Sequence, residues 1–149
     1  MDVSGNVSVI LSQKNREIYS VPPDATVYDA ISLLAEKNVG AVLVMDGERL
    51  VGLFSERDYT RKVVLRGKRS RETKVAEIMS SDLKVIQPRE TVEDCLRLMT
   101  DKRIRHLPVL DGEKVVGIIS IGDLVKWVIS CQSAAIAQLE NYISGGYAG

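Results

Sequence analysis

The chain has two cysteines, one histidine, few aromatics (5%) and no net charge, and each shortage removes a class of function. Cys95 falls on an apolar helix stripe and Cys131 in the carboxy-terminal helix. With neither paired spacing nor neighbouring metal ligands, both read as reduced structural thiols. A balance of 20 basic and 20 acidic residues gives no overall field for nucleic acid or an anionic membrane. The few aromatics leave little for base stacking. No apolar run approaches the ~18 residues that would span a bilayer, and an amino terminus with Asp2 and no basic start does not read as a signal peptide. A cytoplasmic protein is expected, or an organellar one if the source is eukaryotic. There is no Walker-type glycine loop, no metal-ligand spacing and no nucleophile with a nearby base, so neither catalysis nor a catalytic cofactor is expected.

What is present is a repeated turn. Gly52-Leu53-Phe54-Ser55-Glu56-Arg57-Asp58 recurs as Gly117-Ile118-Ile119-Ser120-Ile121-Gly122-Asp123. Each follows an apolar run that reads as a buried strand, and each Ser opens a helical pattern. The first NH groups of a helix lack internal partners and lie at the positive end of its dipole, so such a turn attracts an anion or a polar ligand. Glycine at the strand end admits close approach to the backbone, the hydroxyl can bond a phosphate or sugar oxygen, and a carboxylate can accept two hydroxyl hydrogens. That set suits a ribose phosphate. Ser-x-x-Asp is equally a capping box, in which the two side chains satisfy only the helix's own NH groups. Thr26 to Asp29 and Thr91 to Asp94 have the same form without the glycine lead, and read as caps alone.

Along the chain, Val7, Ile10 and Leu11 have helical spacing and predict a short helix packed on the body of the domain. Ile18 to Val21 reads as a strand closed by Pro22-Pro23. A helix follows from Thr26, with Val27, Ala30, Ile31 and Leu34 on one face. Val39 to Met45 and Leu50 to Phe54 form a hairpin turned at Asp46-Gly47, and a second helix runs from Ser55 to about Leu65. The polar stretch Arg66 to Lys74 reads as a solvated linker; with Arg61 and Lys62 it is also the one basic run. From Val75 the pattern begins again. Val75, Ile78 and Met79 repeat the first apolar triplet, and residues from Ile86 align without a gap to those from Val21, offset by 65 as in Thr26 and Thr91. This is an internal duplication. The predicted division is 1–17 amino-terminal helix and connection, 18–66 first repeat, 67–77 linker, 78–132 second repeat and 133–149 helix extension. Two such α/β repeats would pack around a pseudo-twofold axis with their turns at one cleft. The final helix, Ile121 to Ile143, outlasts its repeat and is expected to end at Ser144-Gly145-Gly146. Its stripe of Leu124, Val128, Cys131, Ala135, Leu139 and Tyr142, with Trp127, suits either its own domain or a partner subunit.

These residues resemble a tandem pair of CBS (cystathionine beta-synthase type) domains, a Bateman module. The pattern Gly-apolar-x-Ser-x-x-Asp is met twice in register, and Arg103 to Val109 is similar to the family's second strand. The chain looks most like the small stand-alone CBS-pair proteins of bacteria and plant organelles. The resemblance implies strand-helix-strand-strand-helix repeats, adenosine ligands (AMP, ADP, ATP, NAD or S-adenosylmethionine) and homodimers; composition points to no membrane or nucleic-acid partner. Carried over, Asp58 and Asp123 would bind ribose, and Ser55 and Ser120 phosphate or ribose. Val21 and Ile86 on the first strands, with Gly40, Ala41, Arg105 and His106 on the second, would line the adenine site, and Arg57 and Arg61 would meet phosphate. Arg57 is replaced by Gly122 in the second turn, so its phosphate grip should be weaker unless Arg105 and His106 restore charge. For His106 both a ligand contact and a structural role stand open; beside Arg105, its neutral form is favoured. The implied function is a regulatory adenine-nucleotide sensor acting on an unknown protein; the alternative is a dimerisation scaffold that ignores nucleotide.

Overall fold

The computed structural model describes residues 5–14 and 17–142. The chain divides into two compact units: Glu17–Val85 with Pro108–Ile118, and Met1–Arg16 with Ile86–Leu107 and Ile119–Gly149. Among the described residues, no helix is long and apolar enough to cross a membrane.

In the first unit, β1 (Ser20–Val21) pairs in parallel with β2 (Ala41–Asp46), which pairs antiparallel with β3 (Arg49–Ser55). Helix α2 (Val27–Lys37) lies between β1 and β2 in the chain; Thr26 caps it by accepting from the Asp29 amide, and Asn38 ends it in the left-handed conformation. Val27, Ala30 and Leu34, at helical spacing, join Val21, Val42, Val44, Phe54 and Val63 in one buried cluster. After β3 come a single α-turn, α3 (Glu56–Asp58), and a π-helical stretch, Tyr59–Val64, in place of one regular helix. The wide hydrogen bond from the Leu65 amide to the Thr60 carbonyl, 3.1 Å, marks that stretch.

The stretch expected as a solvated linker is strapped to α2. The amides of Val27 and Tyr28 donate to the carbonyls of Thr73 (2.8 Å) and Ser70 (3.0 Å), Thr73 is buried, and the Arg71 guanidinium stacks 3.9 Å from the Tyr28 ring. The cause is the helix's own need: its first amides have no partner within it. Helix α4 (Val75–Ile78) continues the strap, with the Val75 and Ala76 amides donating to the carbonyls of Ala25 and Pro23. Val75 and Ile78 enter the same core.

The second unit repeats this arrangement with the chain's beginning in the strap's role. Helix α1 (Val7–Gln13) has its Val7 and Ser8 amides donating to the carbonyls of Glu90 and Pro88, both 2.9 Å, while the Val92 amide donates to the Gly5 carbonyl, 3.2 Å. These are the first unit's bonds moved by one repeat: Ala25 becomes Glu90, Pro23 becomes Pro88 and Val27 becomes Val92. So the segment ahead of repeat one serves repeat two, and the segment ahead of repeat two serves repeat one. Helix α5 (Val92–Lys102) is capped by Thr91 and ended by left-handed Arg103, matching α2. Strands β4 (His106–Asp111) and β5 (Lys114–Ser120) form a two-stranded sheet, and the strand expected at Ile86 is reduced to a single bridging residue. Helix α6 runs from Ile121 to Asn141; the expected stop at Ser144 to Gly146 lies outside the described residues.

Candidate functional site

Both Ser/Asp turns are capping boxes. In the first, the Asp58 amide donates to Ser55 Oγ at 3.2 Å, and the Ser55 amide and hydroxyl donate to Asp58 Oδ2, both at 3.0 Å. In the second, the Asp123 amide donates to Ser120 Oγ at 3.1 Å and the Ser120 amide to Asp123 Oδ2 at 2.8 Å. The amide opening each helix is also taken: Glu56 donates to the Gly40 carbonyl at 3.0 Å, and Ile121 to the Arg105 carbonyl at 2.8 Å. Two of the three leading amides at each turn are therefore spent inside the fold, and the anion-binding capacity is smaller than the bare turn suggests. Thr26 and Thr91 cap their helices, as their sequence predicts.

Around Asp58 the chain closes further. Ser80 Oγ donates to Oδ1 at 3.1 Å, and Lys62 Nζ lies 3.0 Å from the same oxygen while also donating to the Ile78 carbonyl at 3.2 Å. Each carboxylate oxygen thus has two partners, and Asp58 is 6% exposed. Gly52 permits this closure. A Cβ there would collide with Met79 Sδ and stand 3.1 Å from the Ser80 carbonyl oxygen, while Leu53 and Ser80 exchange amide hydrogen bonds at 2.9 Å. The close approach that glycine allows is by its own strap. Val21 and Ala41 are buried strand residues, paired with Val44 and Ser55, and the side chains of Arg57 and Arg61 are exposed on the helix face.

Around Asp123 the partner comes from elsewhere. Lys14, just past α1, brings Nζ to 2.7 Å of Oδ2. Among the described residues, the bonds to this carboxylate all fall on Oδ2, and its side chain is 21% exposed. Arg105 is exposed and His106 half-buried at the start of β4; Ile86 is buried. Burial pushes the His106 pKa down from its ordinary value; Asp123 opposes the shift, and Lys14 and Arg105 add to it. The shift is in the direction expected beside Arg105, with desolvation as its first cause and Arg105 a lesser one. The structure thus groups Ile86, Arg105, His106, Ser120 and Asp123 in one unit, and Val21, Gly40, Ala41, Ser55, Arg57, Asp58 and Arg61 in the other. Lys14, Lys62 and Ser80 were missed by the sequence reading. Lys62 stands four residues after Asp58, one helical turn on, which is a usable signal; Lys14 is 109 residues from its partner and leaves none.

The two cysteines differ in burial. Cys95 is buried and its thiol is pushed up to about 11, first by burial and then by Glu90 and Asp94; Cys131 is half-buried.

The chain belongs to the CBS-domain family, whose pattern is matched twice, over residues 11–65 and 75–130. The mitochondrial CBS domain-containing protein CBSX3 of Arabidopsis thaliana is 43% identical over 129 residues, which are 83% of this chain and 63% of that protein. The chain therefore spans less than two thirds of this relative. A solved protein with CBS domains from Burkholderia ambifaria is 50% identical, with a TM-score of 0.83 over 85% of this chain and 95% of its own. The CBS domain pair of protein MJ0100, solved with 5-methylthioadenosine and S-adenosyl-L-methionine, shares the fold at 21% identity and a TM-score of 0.76, over 85% of this chain and 98% of its own.

Proposed function

We propose that this chain is a regulatory module that binds an adenosine-containing ligand, AMP, ATP or NAD, at its Ser/Asp turns. It works as a homodimer, and the bound ligand changes its affinity for a regulated protein. A CBS pair of the same fold holds two adenosine compounds, which supports the ligand class. The observation that carries the reading is the second turn. Asp123 keeps part of its carboxylate open to solvent, with Lys14 at 2.7 Å, and Lys14, Arg105 and Asp123 all act electrostatically on His106. A ribose diol would meet the carboxylate, and Lys14 and Arg105 would face a phosphate. The sealed first turn makes the second the principal contact, with Ser120 and Asp123 ahead of Ser55, Asp58, Arg57 and Arg61. The module acts by ligand-dependent population shift, without catalysis. Its relatives include a plant mitochondrial protein, so an organellar as well as a bacterial cytoplasmic setting suits it.

The test is a thermal-shift and calorimetric panel of AMP, ADP, ATP, NAD and S-adenosylmethionine. A ligand of the native state raises stability by about 2.7 kcal/mol at a hundredfold excess over its Kd. Asp123→Ala is expected to weaken binding at least tenfold. A second reading, a scaffold indifferent to nucleotide, draws on the capping boxes that both turns complete within the chain. No shift with any of the five compounds would establish it and overturn the ligand proposal.

A further inference from the structure

The strap bonded to α2 carries a charge that the rest of the chain cancels. Between Arg61 and Lys74 stand seven of the 20 cationic residues and one acid, Glu72. Lys62 is spent on Asp58. Arg61, Arg66 and Lys68 are exposed, and among the described residues none of the three has a carboxylate partner. Two tight turns hold this run. The Gly67 and Lys68 amides donate to the carbonyls of Val64 and Val63, at 3.1 and 2.9 Å, with Gly67 left-handed, so the π-helical stretch closes on a Schellman pair. The Glu72 amide and the Thr73 hydroxyl then both donate to the Arg69 carbonyl, at 3.1 and 2.8 Å. Val64 and Leu65, 51% and 74% exposed, stand between Arg61 and Arg66. The surface is cationic with a small apolar centre, on a backbone that its own hydrogen bonds already order.

We infer that this surface docks an acidic segment of the regulated protein, one with an apolar side chain among its carboxylates. The inference rests on the regulatory reading above and names the chemistry of the partner. Guanidinium groups match carboxylates two bonds at a time, and turns formed beforehand spare the complex the cost of ordering them. Unpaired like charges crowded on one strap call for a partner of the opposite sign, and Val64 and Leu65 give that partner an apolar contact to bury. Nucleic acid fits less well. Tyr28 lies under the Arg71 guanidinium and Tyr59 packs on the core, so bases find no stacking surface there. An anionic membrane takes up a whole apolar helix face, which two aliphatic side chains do not supply.

Fluorescence anisotropy of the intact chain with a labelled peptide in which Leu is spaced among Asp and Glu tests it, beside the nucleotide panel. The parent is expected to bind, and to bind less tightly as salt rises. Arg66→Glu with Lys68→Glu should weaken binding about tenfold, and Leu65→Ser several-fold. Lys84→Glu with Lys114→Glu, the same charge change at exposed positions outside the strap, should stay within about twofold of the parent. No binding by the parent, or equal losses from the two charge pairs, overturns the docking surface. Tighter binding to a labelled oligothymidylate, or to vesicles of equal parts phosphatidylcholine and phosphatidylserine, overturns it in favour of that partner. If the peptide fails while a nucleotide raises the melting temperature, the surface falls and the ligand reading stands. If the peptide binds through Arg66 and Lys68 while no nucleotide acts, the surface stands and the ligand reading falls.

Discussion

The two Ser/Asp turns come from one ancestor sequence and differ in what the rest of the chain does to them. At the first, Ser80 from the strap and Lys62 from the π-helical stretch fill Oδ1 of Asp58, while Ser55 fills Oδ2. At the second, α6 is regular, Trp127 stands in the place of Lys62, and among the described residues the lysine paired with Asp123 is Lys14, just past α1. The same motif is thus a closed structural joint in one unit and a partly open polar site in the other. A motif match names the residues; their remaining hydrogen-bonding capacity decides what they do.

The largest effect should come from removing the carboxylates one at a time. Asp58→Ala deletes four contacts, leaving the Ser80 hydroxyl without this acceptor and the half-buried Lys62 ammonium without its counter-charge, with the Ile78 carbonyl still accepting from it, a loss of about 3 kcal/mol. Asp123→Ala removes a cap and a half-exposed ion pair, about 1 kcal/mol. Urea unfolding of the two variants measures the difference. Equal losses would mean that the turns are energetically alike and that the contrast in their surroundings has no thermodynamic weight.

The glycines sharpen the contrast through packing. Gly52→Ala drives a Cβ into Met79 Sδ and the Ser80 backbone, and should cost about 1–3 kcal/mol because the strap must shift. Gly122, in the first turn of α6, has only Ser120 Oγ within reach of a Cβ, at 3.6 Å. Gly122→Ala should therefore stabilise by about 0.5–1 kcal/mol through a less flexible unfolded chain and better helix propensity. A destabilised Gly122→Ala would show that the second turn is as crowded as the first.

Much of this was readable from residue order alone, for a physical reason. Caps, hairpins and apolar faces are set by neighbours within about four residues, so the duplication carries them intact, from Thr26 and Thr91 to Ser55 and Ser120. Long-range docking leaves no periodic trace. The triplets Val7, Ile10, Leu11 and Val75, Ile78, Met79 announce two similar helices, but nothing local says that each serves the repeat it does not precede. The crowding at Asp58 depends on Ser80 and the ion pair at Asp123 on Lys14, both delivered by that exchange. The capping geometry of both turns was legible from Ser55, Asp58, Ser120 and Asp123, as was the loss of Arg57 at Gly122; the unequal crowding of the two carboxylates was not.

The smallest effect, and the most specific to the second turn, is its pH dependence. Burial holds the His106 imidazole below the 6.5 of a free histidine. Between that value and the lower folded one, the unfolded chain binds a proton that the folded chain does not. Stability should therefore fall as pH drops from about 6.5 through this window, and be unaffected by His106 above it. His106→Gln should flatten that part of the profile. The neighbours act in opposite directions. Lys14 lowers the imidazole pKa by repulsion, so Lys14→Gln narrows the window; Asp123 raises it by attraction, so Asp123→Asn widens it. Denaturation midpoints at pH 5, 6 and 7 for the three variants test the ordering. A matching pair of changes from Lys62→Gln and Asp58→Asn, in the unit without a histidine, would show that the effect belongs to capping in general and not to the group around His106.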